Sequence, residues 1–203
     1  MEGQMSIFDL GLDKYEETSE ATLKKERKKE SWFRACGANK SGADEWYTPR
    51  EAVNIIFPYI KPKSKILCPF DTSESQFVIG LKEQGHTVLH SHISEGVDFF
   101  ELQKPDVEYI ISNPPFSKRD AILERLYEWQ IPFAMVFNTN GLFDSKTRSE
   151  LAQKYGAELI YIYPRVRFID ANGDRNSPPF QSCFWCYKMV PEILRFEFLG
   201  AKE

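Results

Sequence analysis

No uninterrupted apolar run in the 203 residues approaches the roughly 20 needed to cross a bilayer, and the N-terminus carries no signal-peptide pattern. The expectation is a soluble, cytoplasmic protein with no membrane partner. Charge of one sign is also missing: 26 Lys and Arg face 30 Asp and Glu, a formal net charge of −4. Nothing global announces a polyanion partner, so any nucleic-acid contact needs a local basic face. There is no internal repeat and no long low-complexity tract, which excludes solenoids and fibrous folds. Cysteine is sparse, at Cys36, Cys68, Cys183 and Cys186. The last two form a CxxC in "QSCFWCYK", but the stretch reads as a strand, where side chains three apart point to opposite faces. No second Cys/His pair stands at ligand spacing, so no metal site is expected, and reduced, buried thiols are.

Glycine is scarce where it would be most informative. "SKILCPFDTSESQF", Ser64 to Phe77, reads as a buried strand running into a tight turn and a helix, yet the turn from Pro69 to Gln76 has no glycine. In nucleotide-binding α/β proteins that place usually holds a glycine-rich loop, because glycine lets backbone amides close on the ligand.

What is present is ample material for a core: 42% hydrophobic and 14% aromatic residues. Residues 1–43 differ in character from residues 44–203. "EATLKKERKKE" is charged helix material, either a solvated face or a phosphate-contacting patch, and "CGANKSGADE" reads as a flexible joint. A charged, partly flexible N-terminal extension preceding one domain is expected. From Asp44 the pattern alternates. "TPREAVNIIFPYI" has helical spacing after a Thr-Pro start that reads as a cap and first turn. Strands are predicted at "KILC", "HTVLHSHI", "VEYIIS", "PFAMVFN" and "AELIYIYP", with helices at "SQFVIGLKEQG", "KRDAILERLYEW" and "SKTRSELAQKYG". "VRFID" and "SCFWCYKM" flank a polar loop like the arms of a closing hairpin that adds antiparallel strands at one edge. The expected fold is α/β, a mostly parallel sheet with helices on both faces and a C-terminal antiparallel hairpin, an arrangement that resembles the Rossmann-like methyltransferase fold.

The segment richest in chemistry is "YIISNPPFSK". Asn113-Pro114-Pro115-Phe116 lies just past the carboxyl end of an apolar strand. Two prolines fix φ and remove two donors, leaving a rigid turn whose carbonyls remain free to accept. An Asn side-chain oxygen beside the Pro114 carbonyl suits an exocyclic amino group, and Phe116 offers a flat face to a planar base. Accepting both N–H protons lets the amine pyramidalise toward a methyl donor without a covalent enzyme intermediate. An ordinary Pro-Pro turn after a strand is the alternative.

Asn113 to Phe116 resembles motif IV of amino-methyltransferases, (D/N/S)PP(Y/F/W). "DEWYTP", Asp44 to Pro49, resembles the Trp-x-Thr-Pro segment of small phage-type DNA N6-adenine methyltransferases. "PRVRFIDANGDRNSPPFQSCFWCYK" resembles the late segment of the same family, with its Arg-x-x-Phe, glycine-containing loop, Pro-Phe-x-Ser and closing strand. The three together span Asp44 to about Lys188. The resemblance implies an adenine-specific DNA methyltransferase using S-adenosylmethionine. Asn113, Pro114, Pro115 and Phe116 would act at the target base, while Trp46, Tyr47, Thr48 and Pro49 would help hold the cofactor. "CPFDTSES" then occupies the place of motif I, (D/E)PFxGxG: Pro69 and Phe70 match, Cys68 stands for the acid, and Thr72 and Glu74 stand for the glycines. Such residues resist positive φ, so the turn must be shaped differently, with Asp71, Thr72 or Ser73 side chains replacing backbone amides. Glu74 is either part of that turn or a partner for the helix dipole. The second strand ends "HSHIS" where an acid is usual, so His90 or His92 either meets the ribose or is structural. Asp98 and Phe99 resemble motif III, an adenine contact with an aromatic beside it; Asp98 reads equally as a helix N-cap.

A target adenine must leave the duplex to reach such a pocket. Lys118, Arg119, Arg165, Arg167 and Arg175 are the expected DNA contacts. "QMSIFDL" resembles the peptide by which bacterial replication proteins dock into the sliding clamp, so Gln4 to Phe8 is a candidate clamp partner segment, the alternative being a terminal stretch packed on its own domain. A non-catalytic DNA- or clamp-binding protein on a degenerate fold, or an RNA or protein amino-methyltransferase, are the competing readings.

Overall fold

A computed structural model describes residues 47–169 and 175–199, with the backbone alone for residues 176 and 196–198. Trp46, Cys36, the extension to residue 43 and the Gln4–Phe8 peptide lie outside the described residues. No helix among the described residues is long and apolar enough to cross a membrane.

The first helix, α1 (Arg50–Val53), passes directly into a 3-10 stretch over Asn54–Tyr59 that contains Pro58. Proline has no amide to donate and its ring crowds the carbonyl four residues back, so the α-helix does not continue through it. Pro49 rather than Thr48 occupies the N-cap, and no side chain caps the helix. The expected Thr48 cap is therefore replaced: that hydroxyl is directed elsewhere.

Strand β1 (Lys65–Cys68) leads into α2 (Gln76–Glu83), capped at its start by the Ser75 hydroxyl accepting from the Phe77 amide. Gly85 ends the helix with a φ of 84°, a left-handed conformation that costs glycine little, and the His86 amide donates back to the Leu81 carbonyl. Next come β2 (Thr87–His90), β3 (Tyr109–Ser112), α3 (Arg119–Trp129), β4 (Phe133–Asn138), α4 (Lys146–Tyr155) and β5 (Glu158–Tyr163). The short pair β6 (Phe168–Ile169) and β7 (Arg175–Asn176), then β8 (Ser182–Tyr187) and β9 (Leu194–Phe198), follow.

Among the described residues the main sheet has seven strands, in the order β2-β1-β3-β4-β8-β5-β9. β2, β1, β3 and β4 pair in parallel, and β5 pairs in parallel with β9. Because β1 connects outward to β2 while β3 connects the opposite way to β4, right-handed crossovers put α2 and α3 on opposite faces. The α/β, Rossmann-like architecture expected from the alternation is the one the chain adopts, and β6 and β7 form an antiparallel hairpin near the C-terminus.

Two details differ from the sequence expectation. β8 lies in the interior, antiparallel to both β4 and β5, with Phe184 opposite Val136 on one side and Ile160 on the other. It is buried along its whole length, as its unbroken aromatic and thiol pattern demands. The partner of Phe168–Ile169 is Arg175–Asn176, within the stretch expected to be loop. The core centres on Trp185, Tyr127, Phe77, Phe133 and Phe184. Trp185 donates its indole N–H to the Tyr127 hydroxyl at 2.8 Å, and that hydroxyl donates to the Gly156 carbonyl at 2.8 Å.

Candidate active site

The strand order reverses between β1 and β3, and the carboxyl ends of both strands open there. That is where open α/β sheets bind ligands. A cavity of about 810 Å³ occupies the place. Its walls come from the turn after β1, the loop after β2, the turn after β3, and the segment at Tyr47.

The turn after β1 answers how a glycine-free loop is built. No residue between Pro69 and Gln76 has positive φ, so none needs glycine. The Asp71 side chain organises the turn instead. Its carboxylate accepts from the Ser75 hydroxyl on one oxygen and from the Ser112 hydroxyl on the other. Ser112, the last residue of β3, also accepts from the Phe70 amide at 3.2 Å. The Asp71 amide donates to the Ser91 carbonyl at 3.1 Å, and the Ser91 amide to the Cys68 carbonyl at 3.2 Å. Burial pushes the Asp71 carboxyl up from 3.8 to about 6, against the pull of the hydrogen bonds from Ser112 and Ser75, which favour the ionised form. Pro69, Phe70, Asp71, Thr72 and Glu74 line the cavity; Ser73 does not.

From the loop after β2, His92 lines the cavity and His90 does not. The His92 ring accepts from the Ser94 amide at 3.2 Å and contacts the Ser94 hydroxyl at 2.6 Å. His90 faces Glu95 at 3.8 Å. Asp98 does two things at once. It caps the short 3-10 turn Phe99–Glu101, accepting from the Phe100 amide at 2.9 Å, and it lines the cavity. Phe99 packs on Phe70 with ring centroids 4.8 Å apart, giving this wall an aromatic floor. Sequence reasoning missed Phe100, which lines the cavity beneath the Lys118 ammonium, 5.4 Å from its ring centroid.

From the turn after β3, Asn113 and Pro115 line the cavity, and the Asn113 Oδ1 is buried. Pro114 is buried behind them and is not on the wall. Phe116, expected at the base, is turned into the core. It is 6% exposed and meets Phe180 at 5.5 Å and Phe137 at 6.5 Å, edge to face. An apolar ring with two aromatic partners beneath it gains more from that packing than from a wet wall.

Tyr47 and Ile169 exchange two backbone hydrogen bonds, of 2.9 and 3.0 Å, across 122 positions of chain, and both line the cavity. This antiparallel bridge brings the Tyr47–Pro49 segment against the late segment. Thr48 is 6% exposed, lines the cavity, and its Oγ1 is buried without a hydrogen-bond partner. Such an orphan oxygen on a cavity wall is a natural place for a ligand's polar group. Pro49 is not on the wall.

The basic residues divide. Lys118 is exposed at the cavity. Arg119 reaches the carboxyl end of β4, donating to Asn138 Oδ1 at 2.9 Å and the Asn140 carbonyl at 3.4 Å, so its guanidinium braces the scaffold. Arg165 and Arg167 are exposed, alternating with buried Val166 and Phe168. Arg175 pairs with Glu51 at 2.6 Å. Cys68, Cys183 and Cys186 are buried free thiols; burial pushes Cys183 up to about 12 and the other two well up. Among the described residues no group of three or more His, Cys, Asp or Glu is placed to hold a metal ion.

No family model matches the sequence, and no curated protein does. Among solved structures, the chain is similar to a modification subunit of a putative type I restriction enzyme from Vibrio vulnificus YJ016, at 13% identity and a TM-score of 0.47 over 99% of this chain and 54% of that one. It is similar to a TehB-like SAM-dependent methyltransferase from Corynebacterium glutamicum, at 14% identity and a TM-score of 0.45 over 83% of this chain and all of that one. A type I restriction-modification methyltransferase subunit from Streptococcus thermophilus gives 13% identity and a TM-score of 0.49 over 82% of this chain and 49% of that one. The chain thus spans about half the length of the two restriction-system subunits.

Proposed function

We propose that the protein transfers a methyl group from S-adenosylmethionine to N6 of an adenine in DNA. One observation carries the reading: the three segments that resemble the phage-type N6-adenine methyltransferases, far apart in sequence, line one cavity at the sheet's switch point. The residues there fit the cofactor. Thr48 offers an unpartnered buried hydroxyl, Asp98 a carboxylate for an amino group, and Phe70 and Phe99 an apolar floor for a planar base. When bound, S-adenosylmethionine supplies an electrophilic methyl on a sulfonium.

The chain's own part is orientation. Asn113 Oδ1, on the cavity wall, accepts a hydrogen bond from the amino group of the flipped base, which helps free the nitrogen lone pair from the ring. The amino nitrogen so oriented would displace the methyl carbon from the sulfur of S-adenosylmethionine, and the amine proton would leave to solvent through the cavity mouth. The prolines keep Asn113 fixed and withhold competing donors. Lys118, beside Phe100 at the mouth, and exposed Arg165 and Arg167 meet the phosphates flanking the extruded nucleotide.

Nucleoside mass spectrometry of unmethylated plasmid, incubated with S-adenosylmethionine and either the protein or Asn113→Ala, tests this. N6-methyladenine formed by the first and lost in the second supports the assignment. No product on duplex or single-stranded DNA, with S-adenosylhomocysteine still bound, would move the substrate to RNA or protein. No binding either would leave a DNA-binding relic.

A further inference from the structure

The resemblance to motif I places Asp71 among the residues that touch cofactor. Its carboxylate is otherwise employed. Both oxygens accept serine hydroxyls, one within the turn and one from Ser112 at the end of β3. Asp71 is 7% exposed and Ser112 is fully buried. Ser112 is bonded in the chain to Asn113, and its oxygen also accepts from the Phe70 amide at 3.2 Å. The turn after β1 and the turn after β3 are therefore joined by two hydrogen bonds that meet on one oxygen. Other side chains bridge strands elsewhere in the sheet, but here both of the joined turns line the cavity.

We infer that Asp71 is a positioning residue: through Ser112 it holds the cofactor turn and the Asn113 turn in one register, and it is not itself a cofactor ligand. This rests on the methyl-transfer reading for its catalytic consequence, but the coupling of the two turns is a property of the fold. In a glycine-rich loop, backbone amides point at the ligand and the turn is shaped by φ alone. Here the turn uses only ordinary φ, and its shape is held by the buried carboxylate. A misplacement in one turn is consequently transmitted to the other, where the amine acceptor sits.

A double-mutant cycle tests this, with Asp71→Ala, Ser112→Ala and the pair in the full chain. S-adenosylhomocysteine affinity is read by calorimetry, and amide exchange at Phe70, Asn113 and Phe116 by hydrogen–deuterium mass spectrometry. Each single change is expected to weaken binding about tenfold and the pair no further, since either removes the same link. Exchange should rise in both turns in every variant, and kcat should fall while KM for DNA is held. If Ser112→Ala does not fold, Ser112→Cys, close in volume and a poor hydrogen-bonding partner, takes its place. Multiplying effects, or loss of affinity with Asp71→Ala alone, would make Asp71 a ligand and overturn the inference. So would exchange that rises only in the turn after β1. An unmutated protein that binds no S-adenosylhomocysteine would instead sink the methyl-transfer reading, and the exchange data would then decide the coupling by themselves.

Discussion

Asp71→Asn should make stability less dependent on pH, and the structure sets how much. The Asp71 carboxyl is held at about 6 by burial, against 3.8 ordinarily. An acid whose value is higher in the folded than in the unfolded chain favours folding while protonated. That contribution is fully present below about 3.8 and is lost as the pH rises through about 6, after which the ionised form carries a constant cost. The gap corresponds to about 3 kcal/mol, an order-of-magnitude figure for a fully buried group. The asparagine cannot ionise, and it still accepts from one serine hydroxyl while donating to the other. Urea unfolding of both proteins, followed by the fluorescence of buried Trp129 and Trp185, gives the stability difference at each pH. Other carboxylates are common to the two proteins and cancel. The variant should gain on the parent by about 2 to 3 kcal/mol between pH 4 and pH 8. A difference flat to within about 0.5 kcal/mol, or one that shrinks with rising pH, would refute the reasoning.

Asn113→Ala should cut methyl transfer by a factor of about 100 or more while S-adenosylhomocysteine affinity stays within about twofold, as single-turnover kinetics and calorimetry would report. Phe116→Ala should cost about 3 to 5 kcal/mol in urea, because the ring lies between Phe180 and Phe137 in the core rather than on the cavity wall. Tyr127→Phe strands the Trp185 indole N–H, which donates to the tyrosine hydroxyl, and should cost about 1 to 3 kcal/mol by the same measurement. Replacing Arg165 and Arg167 by alanine should weaken DNA binding alike across sequences and flatten its dependence on log salt by roughly one unit per lost phosphate contact. Binding isotherms at several salt concentrations would check this.

The helices and most strands were legible because their signals are local. Apolar residues recur at helical spacing in "SQFVIGLKEQG", and Gly85 marks the stop. β9 carries a signal too, the apolar–charged alternation of Leu194 to Phe198, although the sequence expectation does not include that strand. The place of β8 was not legible: its composition says buried strand, but which strands flank it depends on the path of the whole chain. The same limit hid the partner of Asp71. Ser112 lies 41 positions away, and nothing in either segment names the other. Thr48 read as a cap because Thr-Pro before a helical pattern usually is one, and here the bridge from Tyr47 to Ile169 steers that hydroxyl to the cavity instead. Phe116 read as a face for a base because its partners Phe137 and Phe180 are equally remote.

The interior position of β8 also fixes an order of events at the ribosome. β4 and β5 share no ladder; each is bonded to the strand between them, which is made later than both. Until residues 182–187 have been made, the edges of β4 and β5 that pair with them, Phe137 and Ile160 included, lack that ladder partner. Closing this half of the sheet therefore requires residues 182–187 to have left the exit tunnel, and until then those edges are open to whatever extended strand or chaperone reaches them first.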